Sequence, residues 1–203
     1  MSSVMLAKHP YETIWSHLVT DYTQVKKYKH VSNVYVDYAS MANTQNFQLL
    51  LRVLSKMDYQ KLTQVEYITY LINYYNIKMI EAVYLKESLD TNFFNDIKHS
   101  LLAFDERTLF CLSGDNIYFP NLVAYSSSIL FDQLDEQVAI NIQKMIRYDK
   151  GVDIIYVHHW FDQQLFSAKF KEALIGQVVP TYKPGKLNIH QSNFGVISNT
   201  FKK

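Results

Sequence analysis

Apolar residues recur at Tyr11, Ile14, Trp15, Leu18, Val19 and Tyr22, the i, i+3, i+4, i+7 spacing that gives a helix one buried face. A first helix is therefore predicted over Tyr11 to Tyr22. After the basic stretch Lys26-Lys27-Tyr28-Lys29-His30, the alternation in Val34-Tyr35-Val36-Asp37-Tyr38 predicts a short extended segment. Thr44 is placed to cap a second helix, with Phe47, Leu50, Leu51, Leu54 and Met57 on its inner face. Thr63-Gln64-Val65-Glu66 is a capping-box pattern, in which each side chain satisfies the other's free backbone amide at a helix start. The third helix should run from there to about Tyr84. It is apolar on nearly every face, which predicts a central helix covered on several sides.

Farther along, Thr108-Leu109-Phe110-Cys111-Leu112-Ser113 is short, apolar and stopped by Gly114 and Asp115, which predicts a buried strand. Val152 to Val157 is a second strand candidate. Between them, Asn121 to Ile146 reads as one or two helices with Leu134, Val138, Ile142 and Met145 on a common face. The stretch 176–203, with Pro180, Pro184, Gly185 and Gly195, predicts an irregular extension of turns and short extended pieces. No repeat, low-complexity tract or linker divides the chain, so 1–203 is expected to form a single globular domain. The expected fold class is mixed α/β of the α+β kind: a helix-rich N-terminal half packed on a small central, mainly antiparallel sheet.

Composition sharpens this in a few places. The chain has 203 residues, 48% of them hydrophobic and 19% charged, enough to bury a core without disulfide or metal staples. Its 16 Tyr and 12 Phe predict an interior and clefts built from rings. Twenty Lys and Arg against nineteen Asp and Glu leave a formal charge of +1, so no general attraction to nucleic acid is expected. The local basic cluster at Lys26 to His30 is read as a solvated loop or helix end. Cys111 is the only cysteine, which excludes an internal disulfide and a thiolate zinc site. No apolar run approaches the ~18 residues a membrane span needs, and Met1 to Lys8 lacks the pattern of a signal peptide. A soluble chain is the expectation.

The run Glu66 to Ile77 contains Asn73 and Asn76 in otherwise apolar and aromatic company. An amide buried without partners costs about 1–3 kcal/mol, so a specific hydrogen-bond network must hold both. They could orient a substrate carbonyl or the imidazole of His99. The favoured reading is that they tie the central helix to the backbone of adjacent loops, with Asp37 joining either network.

Several separated segments together resemble the family known as domain of unknown function 547, found in bacterial and plant proteins. They are Trp15 with Leu18, Val36-Asp37-Tyr38, Leu71-Ile72-Asn73-Tyr74-Tyr75-Asn76, Ile97-Lys98-His99, Asp105-Glu106-Arg107, Pro120 with Leu122, and Val157-His158-His159-Trp160-Phe161. The likeness covers about Trp15 to Phe166. It implies a relation to papain-like or transglutaminase-like cysteine enzymes, and an exported protein, periplasmic or secreted, ahead of a cytoplasmic one. The chain departs from the family where chemistry would reside: Gly114 and Phe119 stand where the resemblance expects cysteines, and Ala103 where it expects an arginine. Cys111 lies three residues before Gly114, an odd offset that in a strand faces the other side. Phe110 and Leu112 beside it supply no charge to activate a thiol, so a core cysteine is expected.

Two functional readings follow. The first is a non-catalytic domain that binds a ligand or protein of unknown identity, with Tyr118, Phe119 and Trp160 as a contact patch and Asn76, Asp37 and Gly114 lining the remnant cleft. The alternative is a hydrolase or acyl-transfer enzyme in which His99 is the base, Asn73 orients it, and Ser113 or a water is the nucleophile. Ser113 has no G-x-S-x-G elbow around it, and Ser126-Ser127-Ser128 reads as packing or capping. His158 and His159 are adjacent, which sends them to opposite faces of an extended segment and makes poor metal geometry. No metal and no cofactor are predicted, and without a phosphate-cradling glycine loop there is no sign of nucleotide use.

Overall fold

Pro10 opens the first helix at a position where its fixed φ suits the helix and its missing N–H costs nothing. A computed structural model describes residues 9–28, 31–84, 91–114, 120–159, 161, 166–183 and 188–192. Helix α1 (Pro10–Tyr22) leads into an antiparallel hairpin of β1 (Thr23–Tyr28) and β2 (Val31–Val36), in register from Thr23 opposite Val36 to Tyr28 opposite Val31. Helix α2 (Tyr38–Ala42) starts where the Asp37 carboxylate accepts from the Ser40 N–H at 3.1 Å, and α3 (Gln45–Ser55) where the Thr44 hydroxyl accepts from Phe47 N–H at 3.0 Å. The capping box forms as its sequence requires. Glu66 Oε2 accepts from the Thr63 N–H at 2.8 Å, and Thr63 Oγ1 accepts from Glu66 N–H at 3.4 Å. From this box runs α4 (Gln64–Tyr84), followed by α5 (Thr91–Phe104).

Residues Glu106–Cys111 form a 3-10 helix. This corrects the strand predicted over Thr108 to Ser113, and the cause is local. The Asp105 carboxylate accepts from the Arg107 N–H at 2.9 Å, and the Asp105 carbonyl accepts from both the N–H and the hydroxyl of Thr108 at 3.0 and 2.6 Å, closing a tight turn at once. A short apolar run has no periodicity to separate a buried strand from a buried turn of helix.

A 3-10 turn (Ser127–Ile129) leads into α6 (Leu130–Met145), then β3 (Ile146–Asp149), β4 (Ile154–His158), α7 (Ala168–Val178) and β5 (Asn188–Ser192). Strand β4 pairs antiparallel with β3 and parallel with β5. Between β3 and β4, Asp153 takes a left-handed φ of 55° and the Asp149 carboxylate holds the Gly151 N–H at 2.9 Å. The fold is a helix-rich α+β arrangement with mainly antiparallel strand pairing. The stretch expected to be irregular thus contains the end of α7 and a paired strand.

One apolar core joins these elements. Trp15 and Leu18 of α1, Phe47 of α3, Ile72 of α4, Leu101 of α5 and Phe110 of the 3-10 helix Glu106–Cys111 are among its fully buried members. Helix α4 is central, as its all-round apolar pattern implies.

Candidate functional site

Asn73 and Asn76 are both 0% exposed, and each closes on backbone. Asn73 Nδ2 donates to the Tyr125 carbonyl at 2.9 Å while Tyr125 N–H donates to Asn73 Oδ1 at 3.0 Å. One turn on, Asn76 Nδ2 donates to the Cys111 carbonyl at 2.9 Å, and its Oδ1 accepts from the Ser113 N–H at 2.9 Å and the Ser113 hydroxyl at 3.1 Å. A primary amide carries one acceptor and one donor face, as a peptide unit does. It can therefore replace the neighbouring strand that an extended segment would otherwise need. Gln133 of α6 does the same beside them, accepting from the Ser126 N–H at 2.8 Å and donating to the Ala124 carbonyl at 3.0 Å. Asn141 Nδ2 reaches the Phe110 carbonyl at 3.5 Å. The amides thus clip two segments, the end of the 3-10 helix with the residues after it (110–113) and the coil 124–126, onto α4 and α6.

These bonds separate the residues of the predicted catalytic set. His99 lies on the exposed face of α5, beyond the inward residues Ile97 and Leu101. Asn73 is buried and pairs with the Tyr125 backbone, while His99 is exposed, so the structure does not bring the two together. Ser113 is buried, and its hydroxyl donates to an amide oxygen, which is no general base. Asp37 is a buried helix cap, and the Gly114 carbonyl accepts from the Tyr38 hydroxyl at 3.2 Å. Among the described binding candidates, Asn76 is the one whose side chain hydrogen-bonds Ser113. Tyr118, Phe119 and Trp160 lie outside the described residues. His158 is buried and His159 exposed. Among the described residues no group of three or more His, Cys, Asp or Glu side chains gathers as a metal site would require.

Cys111 is fully buried. Burial pushes its thiol up to about 12, and the Tyr125 hydroxyl, acting the other way, is outweighed. The face-alternation expected of a strand does not apply in a 3-10 helix, and desolvation alone makes this thiol inert.

Sequence reasoning missed the buried charges of Glu12 and Lys144, and that of Glu81 in α4. Glu12 of α1 accepts from the hydroxyls of Ser126 at 3.1 Å and Ser127 at 3.4 Å. Lys144 of α6, only 7% exposed, donates to Asn121 Oδ1 at 2.6 Å, and Asn121 Oδ1 also accepts from Val34 N–H of β2 at 3.3 Å. Burial pulls the lysine down to about 7. The available signal for Glu12 was its place next to Tyr11 on the buried side of α1; Lys144 precedes Met145 in the same way.

Beyond the clipped side of α4 lies a cleft of about 580 Å³ between α3 and α4. Tyr74, Lys78 and Glu81 line it from α4, facing Gln48, Leu51 and Arg52 of α3. Lys78 pairs with Glu81 one turn away. The Tyr74 ring stacks on Tyr70 with centroids 5.1 Å apart and a 15° interplanar angle, and takes the edge of Phe93 at 5.6 Å. Tyr70 in turn stacks on Tyr67 at 6.4 Å and Tyr59 at 6.5 Å. Burial, reinforced by these neighbouring rings, raises the Tyr70 hydroxyl above its ordinary range.

No family model, curated protein or solved structure matches this chain. Among the described residues no helix is long and apolar enough to cross a membrane.

Proposed function

We propose that this protein is a non-catalytic binding domain, that the cleft between α3 and α4 is its ligand site, and that the amide clips hold α4 as the fixed wall of that site. The observation carrying this reading is the cleft itself: a preformed concavity of about 580 Å³, within the ~300–1,000 Å³ of small-molecule sites. One wall is a tyrosine immobilised by stacking. Binding to a wall already in place avoids the cost of ordering it. The pairing of buried Asn73 and Asn76 with backbone, the exposure of His99 and the raised thiol of Cys111 weigh against the hydrolase or acyl-transfer alternative.

The resemblance to the domain of unknown function 547 family enters this reading as a proposal of common scaffold. Gly114 then occupies the position where a thiol is expected, so a diverged member of that kind would keep its frame without its nucleophile.

The test is a panel of neutral, cationic and anionic fragments titrated into the isotopically labelled protein. Binding in the cleft moves the backbone amide signals of Gln48, Arg52, Tyr74 and Lys78. If the panel leaves those signals unmoved, or if the protein turns over an activated ester and His99→Ala abolishes it, the reading is overturned.

A further inference from the structure

We propose that the α3–α4 cleft takes a small organic acid, with Arg52 holding its carboxylate or phosphate group and its apolar body lying against Leu51, Leu54 and the ring of Tyr74. This deepens the binding reading above and rests on it. Charge comes first. Arg52 and Lys78 outnumber Glu81 by one positive charge in the lining, and Lys78 is already matched to Glu81 at i, i+3. Among the described residues the excess therefore sits on Arg52. Its Nε donates to the Gln48 carbonyl one turn back at 3.3 Å, which leaves the terminal Nη1 and Nη2 fork without a carboxylate partner among the described residues. A guanidinium fork matches two oxygens of a carboxylate or phosphate at once.

In an otherwise polar, open cleft, Leu51, Leu54 and the Tyr74 ring form one apolar strip, which an acid with an apolar body can cover and a bare inorganic anion cannot. Leu54 is buried and Leu51 half-buried, and the Tyr74 ring is fixed by Tyr70 and Phe93. Rigid aromatic walls of this kind give contact area at low entropic cost. A cationic ligand would meet the Arg52 charge, and Glu81, the one carboxylate among the described lining residues, is already paired with Lys78. A neutral ligand would leave the guanidinium fork with water alone.

The experiment titrates benzoate, phenyl phosphate, neutral benzyl alcohol and benzylamine separately into the full chain, following the amide signals of Gln48, Tyr74 and Lys78. The expected result is saturable binding of at least one acid, with benzyl alcohol and benzylamine weaker by about tenfold or more. Arg52→Gln should weaken the acid by about tenfold and Arg52→Lys by less, because a lysine keeps charge without the fork. Arg52 is exposed, so circular dichroism should show both variants folded. The benzoate and phenyl phosphate arms distinguish a carboxylate from a phosphate ligand. If benzyl alcohol or benzylamine binds in the cleft as tightly as the acids, or Arg52→Gln leaves acid binding unchanged, the acid class is overturned while the ligand site stands. Should no compound move the cleft signals, both proposals fall.

Discussion

Asn73 and Tyr125, far apart in the chain, exchange two hydrogen bonds at 2.9 and 3.0 Å, so a side chain from the middle of a helix completes the backbone pairing of a coil residue. The arrangement explains why an amide is tolerated on an otherwise apolar face of α4. Its desolvation is offset because both partners are themselves buried groups that would lack bonds without it.

Removing that amide should therefore be costly. Asn73→Ala strands both the N–H and the carbonyl of Tyr125, each at about 1–3 kcal/mol, so a loss of roughly 2–5 kcal/mol is expected. Asn73→Asp keeps an acceptor but loses the donor and buries a charge, and should not rescue. Urea unfolding midpoints measure this, and a midpoint equal to wild type in Asn73→Ala would refute the clip.

Lys144 makes stability depend on alkaline pH. Its folded-state value, about 7, lies below the ordinary 10.5, so between those values the unfolded chain binds a proton the folded chain does not. Stability should rise with pH through that window and fall as pH drops toward 7. At about 1.4 kcal/mol for each pH unit, the cost of the buried ammonium below pH 7 is at most about 5 kcal/mol. Lys144→Met should therefore be more stable than wild type at pH 6, by an amount that shrinks steadily toward pH 10. Thermal unfolding of both proteins across that range decides it; a pH-independent difference would contradict the assignment.

The Cys111 thiol should resist modification in the folded protein. With its pKa at about 12 and no exposed surface, reaction with a thiol reagent at pH 8 should follow global unfolding, rising with denaturant along the same curve as the loss of helical signal. Rapid labelling of the native protein would show the thiol to be accessible.

His99→Ala should leave stability within about 0.5 kcal/mol, as surface substitutions usually do, and should leave binding in the α3–α4 cleft unchanged. Denaturant titration and the fragment titrations measure the two effects on one variant.

The contrast between what was legible and what was not has a physical basis. Trp15 and Leu18, the Thr44 cap, the Thr63–Glu66 box and the inner face of α6 could be read because each depends on neighbours within a few residues. The expectation that Asn73 and Asn76 bind backbone was legible from the cost of burying amides, but Tyr125 and Ser113 as partners were not, since nothing local points to them. The 3-10 helix at Glu106–Cys111 escaped because the Asp105 carboxylate, not the apolar run, sets its start. Glu12 and Lys144 were invisible for a related reason. Their burial is made tolerable by Ser126, Ser127 and Asn121 from a segment more than a hundred residues beyond the one and more than twenty before the other. The α3–α4 cleft needs both helices in place before Arg52 and Tyr74 face a common space.

Because Ser113 and Tyr125 are held by residues one turn apart on the same helix, their peptide hydrogens cannot swap with solvent deuterium unless α4 lets go of both stretches. Two positions in irregular backbone should then exchange as slowly as the middle of a long helix, and in step with each other. The chain's assembly acquires an order from the same cause. Until α4 has formed, neither stretch has a place to dock, so they are expected to lock down late and together.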